Sequence, residues 1–323
     1  MGLAGIPFSI ILRYIESGIV NQGSFAIGFS IGLLAGIFEF IIFKDKLRRL
    51  PFIAHLVIKS ISLTIVLYVG LSLLMILDVI FGDWSIELYF KNVLSPTMLG
   101  LIGYSLIIGT IIIFTVQVDQ LLGPGILKKF ILGYYHMPKK ENRIFMFLDL
   151  KDSTRIADKI LPEKYYEFLN NYFSDMSDPI IETSAEIYQY VGDEVVLSWS
   201  IEKGIQNENC IRIFFLIKER LNSKRDYYNK KYGIVPQFKA GIHSGLVISA
   251  QIGELKREVV YNGDILNTAA RIQSICNKYN KELLISEELA KKMNLMQIYE
   301  VENLGNIKLK GKMHTIPICA ISR

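Results

Sequence analysis

In Asn267-Thr-Ala-Ala-Arg271 an amide and a guanidinium stand four positions apart, so a helix places both side chains on one face. Such a pair suits a ribose and the charge that develops on a phosphorus atom during its transfer. Upstream, two carboxylates follow apolar, strand-like runs: Asp149 in Phe-Leu-Asp-Leu and Asp193 in Val-Gly-Asp-Glu. Carboxylates at a strand end or a hairpin turn can be bridged by a hard cation such as Mg2+. The pattern therefore predicts a nucleotide site with phosphoryl-transfer chemistry.

Four sequence blocks stand in a fixed order along the second half of the chain. They are Phe147-Leu-Asp-Leu-Lys-Asp-Ser-Thr154, Tyr190-Val-Gly-Asp-Glu194, Gly263-Asp-Ile-Leu-Asn-Thr-Ala-Ala-Arg271 and Lys308-Leu-Lys-Gly-Lys312. Each block alone is weak, but the four together are specific. At these blocks the chain, from Glu141 to Arg323, resembles the class III nucleotidyl cyclases of the membrane-anchored bacterial type. That family makes a 3′,5′-cyclic nucleotide and pyrophosphate from a nucleoside triphosphate.

The resemblance implies a role for the residues around the first two blocks. Asp149 and Asp193 would bind two Mg2+ or Mn2+ ions per site. The turn from Lys151 to Thr154 would offer backbone N–H groups to the triphosphate at the start of a helix. Ser153 and Thr154 also look like an N-cap of that helix.

For the last two blocks, the resemblance implies contacts with the ribose and the phosphates. Asn267 and Arg271 would orient the ribose and stabilise the pentavalent phosphorus, and Lys310 would bind the terminal phosphates. Lys312 is the alternate phosphate contact if the register differs by two residues. In this family the metal-binding Asp residues come from one subunit and the Asn, Arg and Lys from the other. The resemblance therefore implies a homodimer with two equivalent sites.

Purine recognition is where the chain departs from the family pattern. Adenylate-forming members usually have Lys four residues before the second metal Asp and Asp or Thr seven before the Asn, whereas guanylate-forming members usually have Glu and Cys. Here the two substrate-binding positions hold Gln189 and Val260. Gln can satisfy either purine edge, and Val offers no polar contact. Adenylate cyclase activity is favoured because the guanine-selecting acid is absent and because adenylate cyclases outnumber guanylate cyclases among such membrane forms.

Three alternatives to an adenylate cyclase follow from the same residues. The first is a guanylate cyclase that makes cGMP from GTP, and the second is a catalytically weak cyclase-homology membrane receptor. A diguanylate cyclase is disfavoured because Val191-Gly-Asp-Glu-Val195 lacks the Gly-Gly-Asp/Glu-Glu-Phe pattern. The net charge of +5 includes no long basic run, which disfavours binding to nucleic acid.

Charged residues are distributed very unevenly along the 323 residues. Residues 1–120 hold only 14 of the 67 charged side chains, although 51% of the whole chain is hydrophobic. Three apolar runs contain no charged residue: Ser17 to Phe38, Ser60 to Leu77 and Asn92 to Val118. Each run is long enough to cross a hydrocarbon core of roughly 30 Å as a helix. With the shorter run Gly5 to Ile15, residues 1–120 are predicted to form three to four transmembrane helices.

The loops predict the orientation of these helices. Lys44-Asp-Lys-Leu-Arg-Arg49 holds four basic residues, which places this loop in the cytoplasm of a multi-pass protein of the plasma or inner membrane. The last run then ends on the cytoplasmic side, where nucleoside triphosphates are present. Residues 121–143, which include Gly123-Pro-Gly125, are predicted to be a linker or transducer, and residues 144–323 the catalytic domain.

The fold class expected for residues 144–323 is α+β. Apolar periodicity and turn residues predict a strand at 144–150, a hairpin at 186–200, a strand at 236–243 and a hairpin at 246–260, with helices at 153–183, 205–231 and 264–280. We expect the helices to lie against one face of the sheet. The family resemblance implies a ferredoxin-like βαββαβ core.

Overall fold

The computed structural model describes residues 50–81, 84–123, 126–255, 257–293 and 295–323. The chain divides into two compact units, Met1–Leu122 and Gly123–Arg323. We call them the N-terminal unit and the C-terminal unit. The predicted helices at 5–15 and 17–38 and the basic loop at 44–49 lie outside the described residues.

Three helices make up the described part of the N-terminal unit: α1 (Phe52–Phe81), α2 (Ile86–Val93) and α3 (Pro96–Leu122). Leu63 of α1 packs on Gly109 of α3, where an added Cβ would lie 3.2 Å from the Leu63 side chain. Phe52 and Phe114 meet edge to face at 5.9 Å between ring centroids. By length and composition alone, α1 and α3 are long and apolar enough to cross a membrane.

The C-terminal unit alternates helices and strands around one sheet. Its helices are α4 (Ile126–Ile131), α5 (Ser153–Ala157), α6 (Pro162–Asp175), α7 (Ser177–Glu182), α8 (Ile201–Ile205), α9 (Asn209–Ser223), α10 (Arg225–Tyr232), α11 (Asp264–Ser274) and α12 (Glu287–Ala290). Its strands are β1 (Lys139–Leu150), β2 (Glu186–Val191), β3 (Glu194–Ser200), β4 (Phe238–Ile252), β5 (Glu258–Asn262), β6 (Leu283–Ser286), β7 (Glu300–Ile307) and β8 (Ile316–Ser322). Short 3-10 turns lie at Gln206–Glu208 and Leu295–Gln297.

The strand order is β2-β3-β1-β4-β6-β8-β7, and β5 pairs with β4 outside this path. From β1 to β4 the chain follows the order strand, helices, two strands, helices, strand, and these four strands pair antiparallel as β2-β3-β1-β4. This is the βαββαβ order that the family resemblance implied. Strand β6 pairs parallel to β4 and extends the sheet toward β8 and β7.

Helices cover both faces of the sheet, so the prediction of a single covered face is wrong. On the first face, Ile144 and Met146 of β1 pack with Phe168 of α6 and Phe214 of α9 in the main core. On the second face, α11 packs against β1 and β4 through a smaller cluster, with members Phe145, Val196, Val247, Ile265 and Ala269. Asp149 lies on this second face, on the side of Phe145.

Two glycines of β4 allow α11 to lie very close to the sheet. A Cβ at Gly241 would be 2.2 Å from the backbone N of Gln273 and 2.6 Å from the carbonyl oxygen of Ala269. A Cβ at Gly245 would be 2.6 Å from Ile265 Cγ2. Any larger residue at Gly241 must displace the α11 backbone, so this position fixes the height of the helix above the sheet.

Several predicted boundaries differ from those in the structure. Strand β1 begins at Lys139 because its polar first residues pair with β4, from Lys139 opposite Ser249 onward, whereas the apolar pattern marks only the buried part. The predicted strand at 236–243 and the first arm of the hairpin at 246–260 form one long strand, β4. The predicted helix at 205–231 is interrupted by positive φ values at Asn207 and Glu208 and ends its main segment at Ser223.

Candidate active site

The two predicted metal ligands lie beside each other at one end of the central strands. Asp149 is near the end of β1 and pairs in register with Glu194, the first residue of β3, so Asp193 in the preceding turn is its neighbour. Alternation along β1 places Asp149 on the same face as Phe145, which is the face of α11. Gly192 takes a φ of 63° in the turn, a conformation that glycine adopts without steric cost.

The surroundings of these carboxylates are strongly negative and partly buried. Burial and the Asp193 carboxylate raise the pKa of Asp149, although Lys239 opposes this shift. Burial, together with Asp149 and Asp193, raises the pKa of Glu194 to about 7. Asp193 Oδ2 is buried and has no hydrogen-bond partner among the described residues. A buried carboxylate oxygen without a donor is unfavourable, and a bound cation would relieve it.

Two side chains hold one oxygen of Asp149. Lys239 Nζ of β4 lies 3.3 Å from Asp149 Oδ2. Gln273 Nε2 of α11 donates to the same oxygen at 2.9 Å. The two donors fix the orientation of the carboxylate, and the positive charge of Lys239 offsets part of its negative charge.

This donor set fits a hard divalent cation. Mg2+ is usually held by one or two carboxylates, and water and substrate phosphates complete its coordination. No group of three or more His, Cys, Asp and Glu side chains able to hold a metal is found within the described residues. Asp149 and Asp193 would therefore supply two ligands of a cation, and water or the phosphates of a nucleotide would complete its coordination.

The turn after β1 differs from the predicted N-cap. Ser153 and Thr154 are the first two residues of α5, and Asp152 stands before them with a φ of 56° and no side-chain capping bond. The prediction that Ser153 and Thr154 form an N-cap is therefore wrong, because α5 already begins at Ser153 and Asp152 occupies the N-cap position. The Lys151 N–H donates to the Gln237 carbonyl at 2.8 Å, so it is not available to a phosphate. Phosphate binding by Ser153 and Thr154 stays a prediction.

Helix α11, which carries Asn267 and Arg271, lies against the lysine loop, which carries Lys310 and Lys312. Asn267 and Arg271 are on α11, with Asn267 exposed. Gly311, between Lys310 and Lys312, lies against Arg271, since a Cβ there would be 3.2 Å from an Arg271 Nη atom.

The two lysines of this loop have different surroundings. Lys312 forms an ion pair with Asp264 in the first turn of α11 and is 13% exposed. Lys310 is exposed and forms no ion pair with the described residues. Lys310 is thus the lysine that remains available for a phosphate, which favours it over Lys312 as the contact.

Gln189 and Val260, the predicted contacts of the base, point to different faces of their strands. A β-bulge between Ile187 and Gln189 places both Tyr188 and Gln189 opposite Val196, on the face of α11. Val260 pairs with Ala250, one step out of phase with Tyr261. Since Tyr261 contacts Tyr188 on the face of α11, Val260 points to the other face of its hairpin. Within one chain, Gln189 and Val260 are therefore not side by side.

Sequence reasoning did not identify Lys239 and Gln273. A weak signal existed for Gln273, because it falls within the apolar stripe of α11 that includes Ile265, Ala269 and Ile272, and it is 6% exposed. A polar residue at a buried helix position needs a hydrogen-bond partner. The sequence alone does not show that the partner is Asp149, which is 124 residues away.

The chain resembles known proteins over most of the C-terminal unit. The sequence model of the adenylate and guanylate cyclase catalytic domain matches residues 135–319. Adenylate cyclase 2 of Rhizobium meliloti (strain 1021) is 32% identical over 224 residues, which cover 69% of this chain and 62% of that protein. Human retinal guanylyl cyclase 2 is 26% identical over 197 residues, covering 60% of this chain and 18% of that protein.

A solved structure shares the fold. A bacterial light-regulated adenylyl cyclase superposes with a TM-score of 0.59 at 19% identity, over 71% of this chain and 67% of that one. The chain spans less than two thirds of the Rhizobium relative's length. The match to the catalytic-domain model extends over more than half of the chain and includes all four sequence blocks. The protein therefore belongs to the adenylate and guanylate cyclase catalytic domain family, the class III nucleotidyl cyclases.

Proposed function

We propose that the protein is a membrane-bound adenylate cyclase that converts ATP to 3′,5′-cyclic AMP and pyrophosphate at the interface of a homodimer. The observation that carries the proposal is the pairing of Asp149 and Asp193, with Asp193 Oδ2 buried and without a donor among the described residues. A family member that retains this pair has the groups needed to bind Mg2+ or Mn2+ with a nucleoside triphosphate.

The proposed reaction forms one bond to phosphorus and breaks another. The 3′-oxygen of the ribose bonds to the α-phosphorus, its proton is released, and the bond from the α-phosphorus to the bridging oxygen breaks as pyrophosphate leaves. When bound, the two cations supply a lowered pKa for the attacking hydroxyl and neutralise charge on the polyphosphate. Gln273 and Lys239 hold Asp149 Oδ2, which leaves the rest of the carboxylate for the cation.

The remaining catalytic groups would come from the second subunit. Asn267 and Lys310 are exposed and Arg271 lies against the lysine loop, so all three can face a partner chain. Arg271 would stabilise the charge on the phosphorus, Asn267 would orient the ribose, and Lys310 would bind the terminal phosphates.

A guanylate cyclase is the second candidate, and one observation favours it. Relatives of both kinds match the chain, including the human retinal guanylyl cyclase 2. Gln189 is an exposed amide that can donate or accept, so it does not exclude guanine. We favour ATP because position 189 lacks the acid that guanine-selecting members of the family use.

The membrane part of the proposal rests on α1 and α3. Both helices are apolar along their length and are largely exposed within the structure, unlike the core helix of a soluble protein. We propose a multi-pass protein of the plasma or inner membrane, with the C-terminal unit in the cytoplasm, where nucleoside triphosphates are found.

One experiment tests this proposal directly. The purified full chain is offered ATP and GTP separately with Mg2+ or Mn2+, and the cyclic products are identified. We expect cyclic AMP as the main product, and we expect Asp149→Asn and Asp193→Asn each to lower turnover by orders of magnitude, because each removes a metal ligand. The melting temperature of each variant serves as the control for folding.

Each other outcome has a clear meaning. Cyclic GMP as the main product would replace the first candidate with the second. Near-normal turnover in either Asp variant would remove that residue from the metal site. Absence of either cyclic product from a folded protein would favour a cyclase-homology receptor over an enzyme.

A further inference from the structure

We infer that Gln273 is a positioning residue that fixes the Asp149 carboxylate for cation binding. The inference rests on the proposed function, since it assumes that Asp149 is a metal ligand. Gln273 is 6% exposed, so little of its side chain is available to a substrate. It acts through the hydrogen bond from its Nε2 to Asp149 Oδ2, which measures 2.9 Å.

The position of Gln273 is imposed by the packing of α11. Its side chain is 6% exposed, at a helix position that otherwise carries apolar residues. The absence of a side chain at Gly241 lets the α11 backbone approach β4, and this contact involves the backbone of Gln273 itself. The amide therefore reaches Asp149 from a helix that is held at a fixed height.

The hydrogen bond selects one orientation of the carboxylate. Oδ2 of Asp149 receives the amide of Gln273 and lies 3.3 Å from the ammonium of Lys239, so this oxygen is occupied by two donors. Without the amide, Lys239 alone would hold this oxygen, and the repulsion from Asp193 would favour rotation of the Asp149 side chain away from it. Groups that orient a metal ligand typically change metal affinity by about 10-fold to 100-fold when removed.

The same helix connects the two sites of the proposed dimer. Asn267 and Arg271 of α11 would serve the site that contains the other subunit's carboxylates, whereas Gln273 contacts Asp149 of its own chain. A shift of α11 would therefore change both sites together. The effect of Gln273 itself must arise in the subunit that supplies Asp149.

The test measures binding of Mn2+ alone to the full-length chain through the electron paramagnetic resonance signal of free Mn2+, without nucleotide. We expect Gln273→Met to raise the Kd for Mn2+ on the order of tenfold or more, because methionine fills the same space without a donor. Ser274→Ala is the matched control, since Ser274 is an exposed neighbour whose hydroxyl donates to the Arg271 carbonyl. It should leave the Kd unchanged. Gln273→Ala is the second variant if the methionine variant does not fold.

Two outcomes separate this inference from the proposed function. If Asp149→Asn abolishes Mn2+ binding and a folded Gln273→Met binds Mn2+ as the unmodified protein does, the inference is overturned while the metal assignment stands. If Asp149→Asn binds Mn2+ normally, the metal assignment fails and the inference fails with it.

Mixed dimers supply a second test of the inference. In dimers of Arg271→Ala with Asp149→Asn chains, the intact site takes Asp149 from the Arg271→Ala chain. Adding Gln273→Met to that chain should raise the Mn2+ concentration for half-maximal activity, and adding it to the Asp149→Asn chain should not. An equal effect in both chains would mean that Gln273 acts only through α11 packing and would overturn the inference.

Discussion

At the scale of single residues, the β-bulge at Tyr188 determines where Gln189 points. Regular alternation from Glu186 would turn Gln189 toward the main core, on the side of Ile187. The extra residue in β2 instead places Gln189 opposite Val196 and on the open face, next to the aromatic contacts of Tyr188 with Phe145. The predicted base contact at Gln189 thus depends on one irregular residue.

We expect Gln189→Lys to sharpen the preference for ATP and Gln189→Glu to shift it toward GTP. An amide presents both a donor and an acceptor, whereas lysine only donates and an ionised glutamate only accepts. The expected change in discrimination is about 1–3 kcal/mol once the site is closed. The ratio of kcat/KM for ATP and GTP in the three proteins measures it. An unchanged ratio would show that Gln189 does not contact the base.

A second feature at this scale is the charge network around Arg143, whose side chain is 3% exposed. Its Nη atoms donate to Glu186 at 2.6 Å, Ser198 at 2.8 Å and Glu141 at 3.2 Å. Glu186 also accepts from Lys129 of α4 at 3.1 Å. Burial alone would raise the pKa of Glu186, but the charges of Arg143 and Lys129 outweigh this effect and lower it below its usual 4.5. The segment before β1 is therefore tied to β2 by ionised groups.

This lowered pKa predicts how stability depends on pH. The unfolded chain binds a proton at Glu186 more readily than the folded chain does, so the stabilisation is complete above pH 4.5 and is lost as the pH falls through the lower folded value. We expect Glu186→Gln to cost about 1 kcal/mol at pH 7. We also expect a smaller loss of melting temperature on acidification than in the unmodified protein. Glu302→Gln, which breaks the exposed pair with Lys281, is the matched control and should change neither quantity measurably.

At the scale of elements, the close contact of α11 with β4 organises the site. It brings Gln273 to Asp149 and fixes the side of α11 that presents Asn267 and Arg271. Gly241 permits this contact because it has no Cβ. At Gly241, the size of the side chain and not its charge limits how closely α11 can approach the sheet.

We expect Gly241→Ala to lower stability and to weaken the site together. The added Cβ would be 2.2 Å from the Gln273 nitrogen, so α11 must move, which costs about 1–3 kcal/mol. The melting temperature should fall by a few degrees per kcal/mol, and the Mn2+ affinity should fall with it. Gly233→Ala, at a position with a φ of 69° and no atom near an added Cβ, tests whether any glycine replacement has this effect. A loss of stability without a loss of Mn2+ affinity would separate α11 packing from the site.

At the scale of the whole molecule, the proposed site would be completed by a second copy of the chain. The carboxylate pair lies at the ends of β1 and the β2–β3 turn, whereas Asn267, Arg271 and Lys310 lie on α11 and the loop before β8. No hydrogen bond or ion pair joins the two groups within the part of the chain that the structure describes, apart from the contact of α11 through Gln273. Two copies arranged with rotational symmetry would form two equivalent sites.

We expect complementation between two inactive variants. Asp149→Asn and Arg271→Ala chains should each be inactive alone, and mixing them should restore up to about one site per mixed dimer. Activity is measured after co-expression with two affinity tags, so that only mixed dimers are assayed. Mixed dimers that remain inactive would show that each site is built from one chain.

A physical reason separates what the sequence determines from what it leaves open. Local patterns were sufficient for the strands and helices around Asp149, Asp193 and α11, because apolar periodicity and turn residues act within a few positions. The order of the four blocks is also visible in the sequence alone, and this order identifies the family. Local patterns were insufficient for strand ends such as Lys139, since pairing of a polar segment depends on the strand opposite and not on its own pattern.

Tertiary structure alone decided which residues meet. The hydrogen bond between Gln273 and Asp149, the ion pair of Lys239 and the side on which Gln189 lies all depend on contacts between segments that are distant in the chain, or on a bulge that has no turn residue to mark it. Long-range contacts of this kind form because the whole sheet and α11 are packed at one distance, which Gly241 permits. The sequence by itself therefore determined the family and the principal charged groups, and the fold determined how those groups are held.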